Sequence, residues 1–302
     1  MQFQEVEKLR INFYNKIRKA RRIVLFIALG VVVIFGLLIV LRSRSFLGLF
    51  PVVFFGLTTW LTGHVITYFL YHKDLMKFYA AYKKYFVESA LLKVFPGCSY
   101  EFQNGISRER IAETGMMNTG DIFRSEDLVK GEYKGLKFEQ SDMIIQEESR
   151  DSDGNTTTTT IFSGRYAIFD IKRTFDFRLG VVGKGFQAAQ FRRLNKGVKF
   201  RKIQTESVEF QKRFRVYAED GFEAFYLLDP AFIARVDKLG EAYKNRVALF
   251  FVNGELHIAV NDNKNSFEPS SYRKPLDEKS EVEKIEKDIK LITDIVDSLK
   301  LK

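Results

Sequence analysis

Two uncharged apolar runs dominate the pattern of the chain. Residues 23–41 contain no charged side chain in nineteen positions, and residues 46–71 contain none in twenty-six. At about 1.5 Å of rise per residue, a helix of either length matches the roughly 30 Å hydrocarbon core of a bilayer, and the longer one can tilt. The four residues between them, Arg42, Ser43, Arg44 and Ser45, allow only a tight turn. The pattern predicts a transmembrane helical hairpin over residues 23–71 that returns the chain to the side where it began. A cleaved signal peptide fits poorly, because its apolar stretch is shorter and ends at small residues, which Leu41 and Arg42 are not.

Flanking patterns extend this outline. Phe3, Val6, Leu9, Phe13 and Ile17 recur at helical spacing among basic residues, as in a short amphipathic helix on a membrane surface or a basic tail that sets orientation. Within the second run, Gly56, Thr59, Gly63 and Thr67 form a stripe of small residues, a candidate packing face for the first span or a second copy. His64 stands beside this stripe with no charged partner in either run and reads as a packing histidine rather than a transport residue. Leu75, Tyr79, Tyr82, Phe86 and Ala90 continue at helical spacing until Pro96 and Gly97 end the helix.

Beyond residue 96 the period shortens to that of strands. Apolar alternation on both sides of residues 131–135 predicts one hairpin. Residues 138–146 and 156–161 predict a second, turning at the Asp-rich segment 151–155, with 166–171 as a further strand. That segment has its Gly at the fourth position and no closing Glu, so it reads as a solvated turn rather than a calcium loop. Residues 198–203 and 214–218 are strand candidates around a short helix at 206–212. Asp229 and Pro230 mark a helix start, and Asn253-Gly254 turns the clearest hairpin, 246–260. Ser280 and Glu283 form a capping box ahead of Val282, Ile285, Ile289, Ile292, Val296 and Leu299, a seam that docks on the sheet or self-associates. The fold class expected is α+β. An N-terminal segment (1–22), the hairpin (23–71) and a juxtamembrane helix (72–95) precede an antiparallel-sheet domain with flanking helices (96–276) and a C-terminal helix (277–302). A pleckstrin-homology-like barrel is one specific version of that sheet.

Charge changes the picture in two places. The net charge of +10 suggests nucleic acid until it is divided. Residues 1–73 carry ten Lys and Arg against two acids, and the remainder 38 against 36, so the excess flanks the spans and no nucleic-acid partner is expected. Seven basic residues precede the first run, two lie in the turn and four follow the second, which places both termini in the cytoplasm and the protein in an inner, cytoplasmic membrane. The second place is residues 172–202, with ten basic side chains and one acid around a Gly-rich apolar middle, 177–186. This composition predicts a mobile loop against anionic headgroups or an acidic partner, with Arg178, Lys184, Arg192, Arg193 and Lys196 as the candidate contacts.

Catalytic signals are sparse. No zinc-protease, hydrolase-elbow or paired-cysteine motif occurs, and residues 180–185 lack the order of a phosphate-binding loop. Glu206 with Glu209, and Asp220 with Glu223, are the carboxylate pairs available to an enzyme, though solvated faces explain them as well. Cys98, the single cysteine, has no neighbouring histidine to activate it. His257 alternates with Leu256 and Ile258 and is expected on the opposite sheet face from them. No catalytic residue, cofactor or metal is assigned. Residues 105–107 (GIS), 126–135 (EDLVKGEYKG), 138–142 (FEQSD), 161–164 (IFSG), 169–170 (FD), 206–210 (ESVEF), 214–217 (FRVY), 223–226 (EAFY), 229–230 (DP) and 267–269 (FEP), in this order, resemble the bacterial membrane-anchored family catalogued as domain of unknown function 3137. The resemblance spans most of residues 75–270. It implies two N-terminal spans and a cytosolic domain, conveys no activity, and makes a membrane-protein partner conceivable. The function expected is a membrane-anchored binding or scaffold module. A membrane-surface enzyme with a carboxylate pair and an accessory subunit of a transporter are the alternatives.

Overall fold

Both apolar runs are helical in the computed structural model, which describes residues 2–43, 49–115, 117–171, 177–189 and 200–300. The chain divides into two units: residues 1–86 with 269–281, and residues 87–268 with 282–302.

In the first unit, α1 (Phe3–Ser43) and α2 (Leu49–Tyr82) run antiparallel. A Cβ placed on Gly56 would fall 2.2 Å from Val32 Cγ2, and one on Gly63 would fall 2.4 Å from Val24 Cγ1. The two glycines therefore let the backbones approach as small residues do in lipid, and Thr67, on the same stripe, is buried. The hydroxyls of Thr59 and Thr67 are satisfied within α2, by Phe55 O at 2.8 Å and Gly63 O at 2.7 Å. His64 also stays local, with Nδ1 3.0 Å from Trp60 O. Among the described residues, two helices are long and apolar enough to cross a membrane, and only 6% and 17% of their most apolar windows is buried, unlike a core helix of a soluble protein.

The N-terminal amphipathic face does not lie on lipid. Val6, Phe13 and Ile17 are buried because residues 269–281 strap across them. Phe13 meets Tyr272 edge-on at 5.5 Å, Arg10 donates to Tyr272 O at 3.1 Å while paired to Glu7, and Tyr82 donates to Glu281 at 2.5 Å. Apolar spacing identified the face but could not reveal that a segment 260 residues later covers it. The helix after the second span continues through a π-helical turn, Lys83–Glu88, into α3 (Ser89–Val94).

The second unit is built on one nine-stranded antiparallel sheet, in the order β1-β2-β3-β4-β9-β8-β5-β7-β6. The strands are β1 (Ser99–Glu101), β2 (Ile122–Tyr133), β3 (Leu136–Arg150), β4 (Thr156–Asp170), β5 (Leu179–Gly183), β6 (Arg201–Ile203), β7 (Phe214–Ala218), β8 (Val247–Val252) and β9 (Glu255–Val260). The helices are α4 (Arg108–Ala112), α5 (Val208–Arg213), α6 (Gly221–Leu227), α7 (Pro230–Ala242) and α8 (Glu278–Leu299). Strands β1 and β6 are edges, so the sheet is open rather than a barrel. Three of its hairpins turn within the expected segments. Lys134 and Asn253 adopt positive φ ahead of their glycines, and Asp151 accepts from Asp153 N and Asn155 N, which makes 151–155 a self-capped turn. Residues 156–161 and 166–170, read as separate segments, belong to the single long strand β4, which ends one residue before Ile171.

One face packs Met143, Ile145, Phe162, Tyr166, Ala248 and Phe250 against Ile106, Ile111 and Met117. The other face meets α7, through Phe232 on Phe251 at 5.8 Å, and α8, through the buried residues Ile285, Ile289 and Ile292. Asp229 caps α7 as the Asp-Pro pair predicts, accepting from Phe232 N at 2.6 Å. The seam of α8, from Ile285 to Leu299, is buried within the chain. Its cap is Asp277, which accepts from Ser280 N at 2.7 Å, not Ser280; a carboxylate one turn earlier is the stronger acceptor for the exposed helix N–H groups.

The mobile-loop reading of residues 177–186 is overturned. Leu179–Gly183 is β5, a fully buried strand between β8 and β7, and Phe177 and Phe186 are buried beside it. A strand buried on both faces shows no alternation, so its period gave no sign of it.

Candidate functional site

Strand β5 delivers its last residue to a cationic recess near the β6 edge. Gly183 ends the strand where a Cβ would lie 2.2 Å from Asn245 O, and the following turn lifts Lys184 out, its N–H donating to Arg213 O at 2.8 Å. Arg215 stands on β7 opposite Val182, and Lys202 on β6 opposite Tyr217. Together Lys184, Lys202 and Arg215, with Gln211 from α5, line a recess of about 220 Å³ that Ile203, Phe214 and Val216 also border. Among the described residues, its lining holds three cations and no carboxylate. That is the chemistry of an anion site, and a guanidinium beside two ammonium groups suits a phosphate.

Beside this recess lies an exposed aromatic face. A Cβ on Gly221 would fall 3.3 Å from Ile203 Cδ1, so α6 begins against β6. From there Phe222 (70% exposed), Phe225 (52%) and Tyr226 (70%) point outward, and Val208 of α5 is 67% exposed. The helix is held from behind by the buried Ala224. Large apolar side chains grouped beside basic ones are what an interfacial membrane contact requires.

A second concavity, of about 530 Å³, opens at the far end of the sheet among Arg110, Lys130, Lys137, Glu139, Asp170 and Glu255, with Ile168 and Phe138 beneath. Its acids and bases largely neutralise one another: Arg110 pairs with Glu255, and Lys130 with Glu139 at 3.3 Å. Below Glu255 lies His257, fully buried, with Nε2 3.1 Å from Glu255 Oε2 and Nδ1 3.0 Å from the Tyr166 hydroxyl. Burial pushes the His257 pKa down, against the opposing pull of Glu255, so the ring is neutral near neutral pH. Burial also raises the Cys98 thiol, which argues against a thiolate nucleophile there. The chain from Tyr166 through His257 to Glu255 ends in the Arg110 ion pair rather than at a nucleophile.

The histidine makes stability pH-dependent. Its folded pKa lies below the ordinary value near 6.5. Between the two values the unfolded chain binds the extra proton, so stability falls as pH drops below about 6.5, by at most about 1.4 kcal/mol per unit. Tyr166, Glu255 and, through it, Arg110 are the groups facing this ring. Denaturant midpoints measured from pH 7.5 to 5 should fall in the parent, and His257→Gln should remove that component of the slope. An unchanged slope in the variant would show that His257 is already protonated in the fold.

Of the sequence candidates for surface contact, the structure brings only Lys184 to the cationic recess. Arg178 is engaged by Glu219, through its N–H at 3.0 Å and its guanidinium at 3.8 Å. Arg192, Arg193 and Lys196 lie outside the described residues. Of the carboxylate pairs, Glu206 and Glu209 are exposed, with Glu209 held by Lys212 at 2.7 Å, and Asp220 caps Phe222 N at 2.7 Å, while the Glu223 side chain is not among those described. His257 does lie on the opposite face from Leu256 and Ile258. Arg215 and the α6 aromatics were missed. Phe222, Phe225 and Tyr226 sit at helical spacing between Gly221 and Asp229, a signal that was available.

Residues 160–301, from β4 through α8, match the model of the family described as protein of unknown function DUF3137. The segments 161–164 to 267–269 lie inside this match, and those at 105–142 precede it. No curated protein matches the chain. Among solved structures, the crystal structure of the mycobacterial trehalose monomycolate transport factor A, TtfA, is similar at 10% identity and a TM-score of 0.39, covering 74% of this chain and 95% of that one.

Proposed function

We propose that the protein is a membrane-anchored binding module whose soluble unit contacts anionic lipid headgroups at the recess formed by Lys184, Lys202 and Arg215. The observation that carries the reading is the coincidence of this acid-free recess with the exposed Phe222, Phe225 and Tyr226. Cations near an anionic surface contribute about 1 kcal/mol each, and the aromatic rings add apolar contact at headgroup depth. The two apolar helices tether the unit, so weak contacts suffice at the high local lipid concentration. The 7:2:4 distribution of flanking basic residues supports a multi-pass inner-membrane topology with both termini cytoplasmic. A membrane-protein partner with an acidic surface would use the same recess.

The full chain in neutral detergent, titrated with short-chain phosphatidylglycerol, should bind it more tightly than short-chain phosphatidylcholine. Salt should weaken the difference. The triple change Lys184→Ala, Lys202→Ala and Arg215→Ala should lower affinity by about tenfold or more. Equal binding of the two lipids, or an unaffected triple variant, would overturn the reading.

A further inference from the structure

The β2–β3 end of the same sheet holds a group of clustered oxygens, several of them buried, that the lipid-contact reading leaves unexplained. A β-bulge interrupts the β2–β3 pairing between Glu126 and Val129, and within it Asp127 takes φ +59° and turns its side chain fully inward. There Glu126, Asp127 and Glu268 bring one carboxylate oxygen each within 4.8 Å of one another. Asp142 is the register partner of Glu126 and is 2% exposed. One of its oxygens accepts from Ser266 N, two residues before Glu268, and the other, Oδ1, has no hydrogen-bond partner. The hydroxyl of Ser266, 1% exposed, is likewise unpartnered.

From this geometry we infer that Glu126, Asp127 and Glu268, with Asp142 Oδ1 and Ser266 Oγ, form a binding site for a hard divalent cation. Carboxylates this close repel one another, and Asp127 and Asp142 are buried as well; a cation supplies both countercharge for the group and a partner for Asp142 Oδ1 and Ser266 Oγ. An all-oxygen set drawn from a bulge, a strand and a loop suits calcium, which accepts irregular oxygen cages, whereas magnesium demands a near-ideal octahedron and retains water. The surroundings orient the ligands as outer-shell partners do: Tyr100 donates to Asp127, and Asn265 donates to Glu126 at 2.9 Å. Acid spacing in the sequence gave no sign of this, because Asp142 and Glu268 arrive from β3 and from the loop after β9.

Terbium titrated into the full chain in detergent tests the site, because Tyr100 stands against Asp127 and can sensitise emission. Saturable emission is expected, displaced by calcium more readily than by magnesium. Glu126→Gln, on the open side, should weaken calcium binding by at least tenfold, and Asp127→Asn should weaken it more. Tyr100→Phe should lose most of the emission while calorimetry still detects calcium. Circular dichroism checks that each variant folds, and calcium should raise the unfolding midpoint of the parent but not of Asp127→Asn. Absence of saturable emission in the parent, or binding that survives Glu126→Gln combined with Glu268→Gln, would overturn the site.

Discussion

Replacing Arg165 with methionine is expected to cost the fold about 3–5 kcal/mol, the range seen when one partner of a buried ion pair is removed. The guanidinium is 4% exposed and pairs with Asp262 at 2.6 Å, a carboxylate that is itself 14% exposed. It also donates to the main-chain oxygen of Asp288 in α8 at 3.3 Å, so one side chain of β4 holds both the loop after β9 and the C-terminal helix. Methionine fills much of the volume but leaves Asp262 desolvated without its cation. Chemical unfolding of the full chain in detergent reads the loss as a lowered midpoint. The paired change Arg165→Met with Asp262→Leu should recover most of it, because an apolar pair of similar volume removes the uncompensated charge. A loss below about 1 kcal/mol in Arg165→Met would mean that water already reaches the pair.

The parts legible in the sequence share one property: their signal is local. Uncharged runs of nineteen and twenty-six residues fix two helices with no reference to the rest of the chain. Asn253-Gly254 and the segment 131–135, which turns at its last two residues, Lys134 and Gly135, announce their hairpins because positive φ at those positions closes the turn. Asp229-Pro230 marks a helix start because an N-cap oxygen and a proline without an N–H both suit that one place.

What escaped the sequence depends on distant partners. Strand β5 looks like a glycine-rich loop until Ala248, Leu249, Val216 and Tyr217 flank it. Phe13 reads as lipid-facing until Tyr272 arrives. The basic composition of residues 172–202 did point to a cationic surface, yet Lys184 meets Lys202 and Arg215 only because β5, β6 and β7 are neighbours in an order that the chain does not follow. Arg178, six residues from Lys184, turns instead to Glu219. Charge density along a sequence thus indicated the region of the recess, while strand order decided its members.

Gly164→Ala is the second change expected to have a large effect, and it acts through backbone geometry rather than charge. Gly164 lies in β4 opposite Met143 with φ +156°, a conformation that L side chains rarely adopt. A Cβ there would stand 2.1 Å from the carbonyl oxygen of Val260, and backbone in a sheet cannot swing aside as a long side chain can. Overpacking and backbone strain each cost about 1–3 kcal/mol, so a loss of more than about 2 kcal/mol is expected for this single methyl group. Gly154 provides the control: it also has positive φ, +85°, but a Cβ there meets nothing within 4 Å, so Gly154→Ala should show the strain alone and lose less. The same added Cβ at position 164 would press on Asp262, whose N and Oδ1 both lie 3.1 Å away, and Asp262 is the partner of Arg165. Gly164→Ala and Arg165→Met therefore damage one shared element, and combining them should cost less than the sum of the two by at least about 0.5 kcal/mol. Strict additivity would show that the loop bearing Asp262 yields to the methyl group without releasing Arg165.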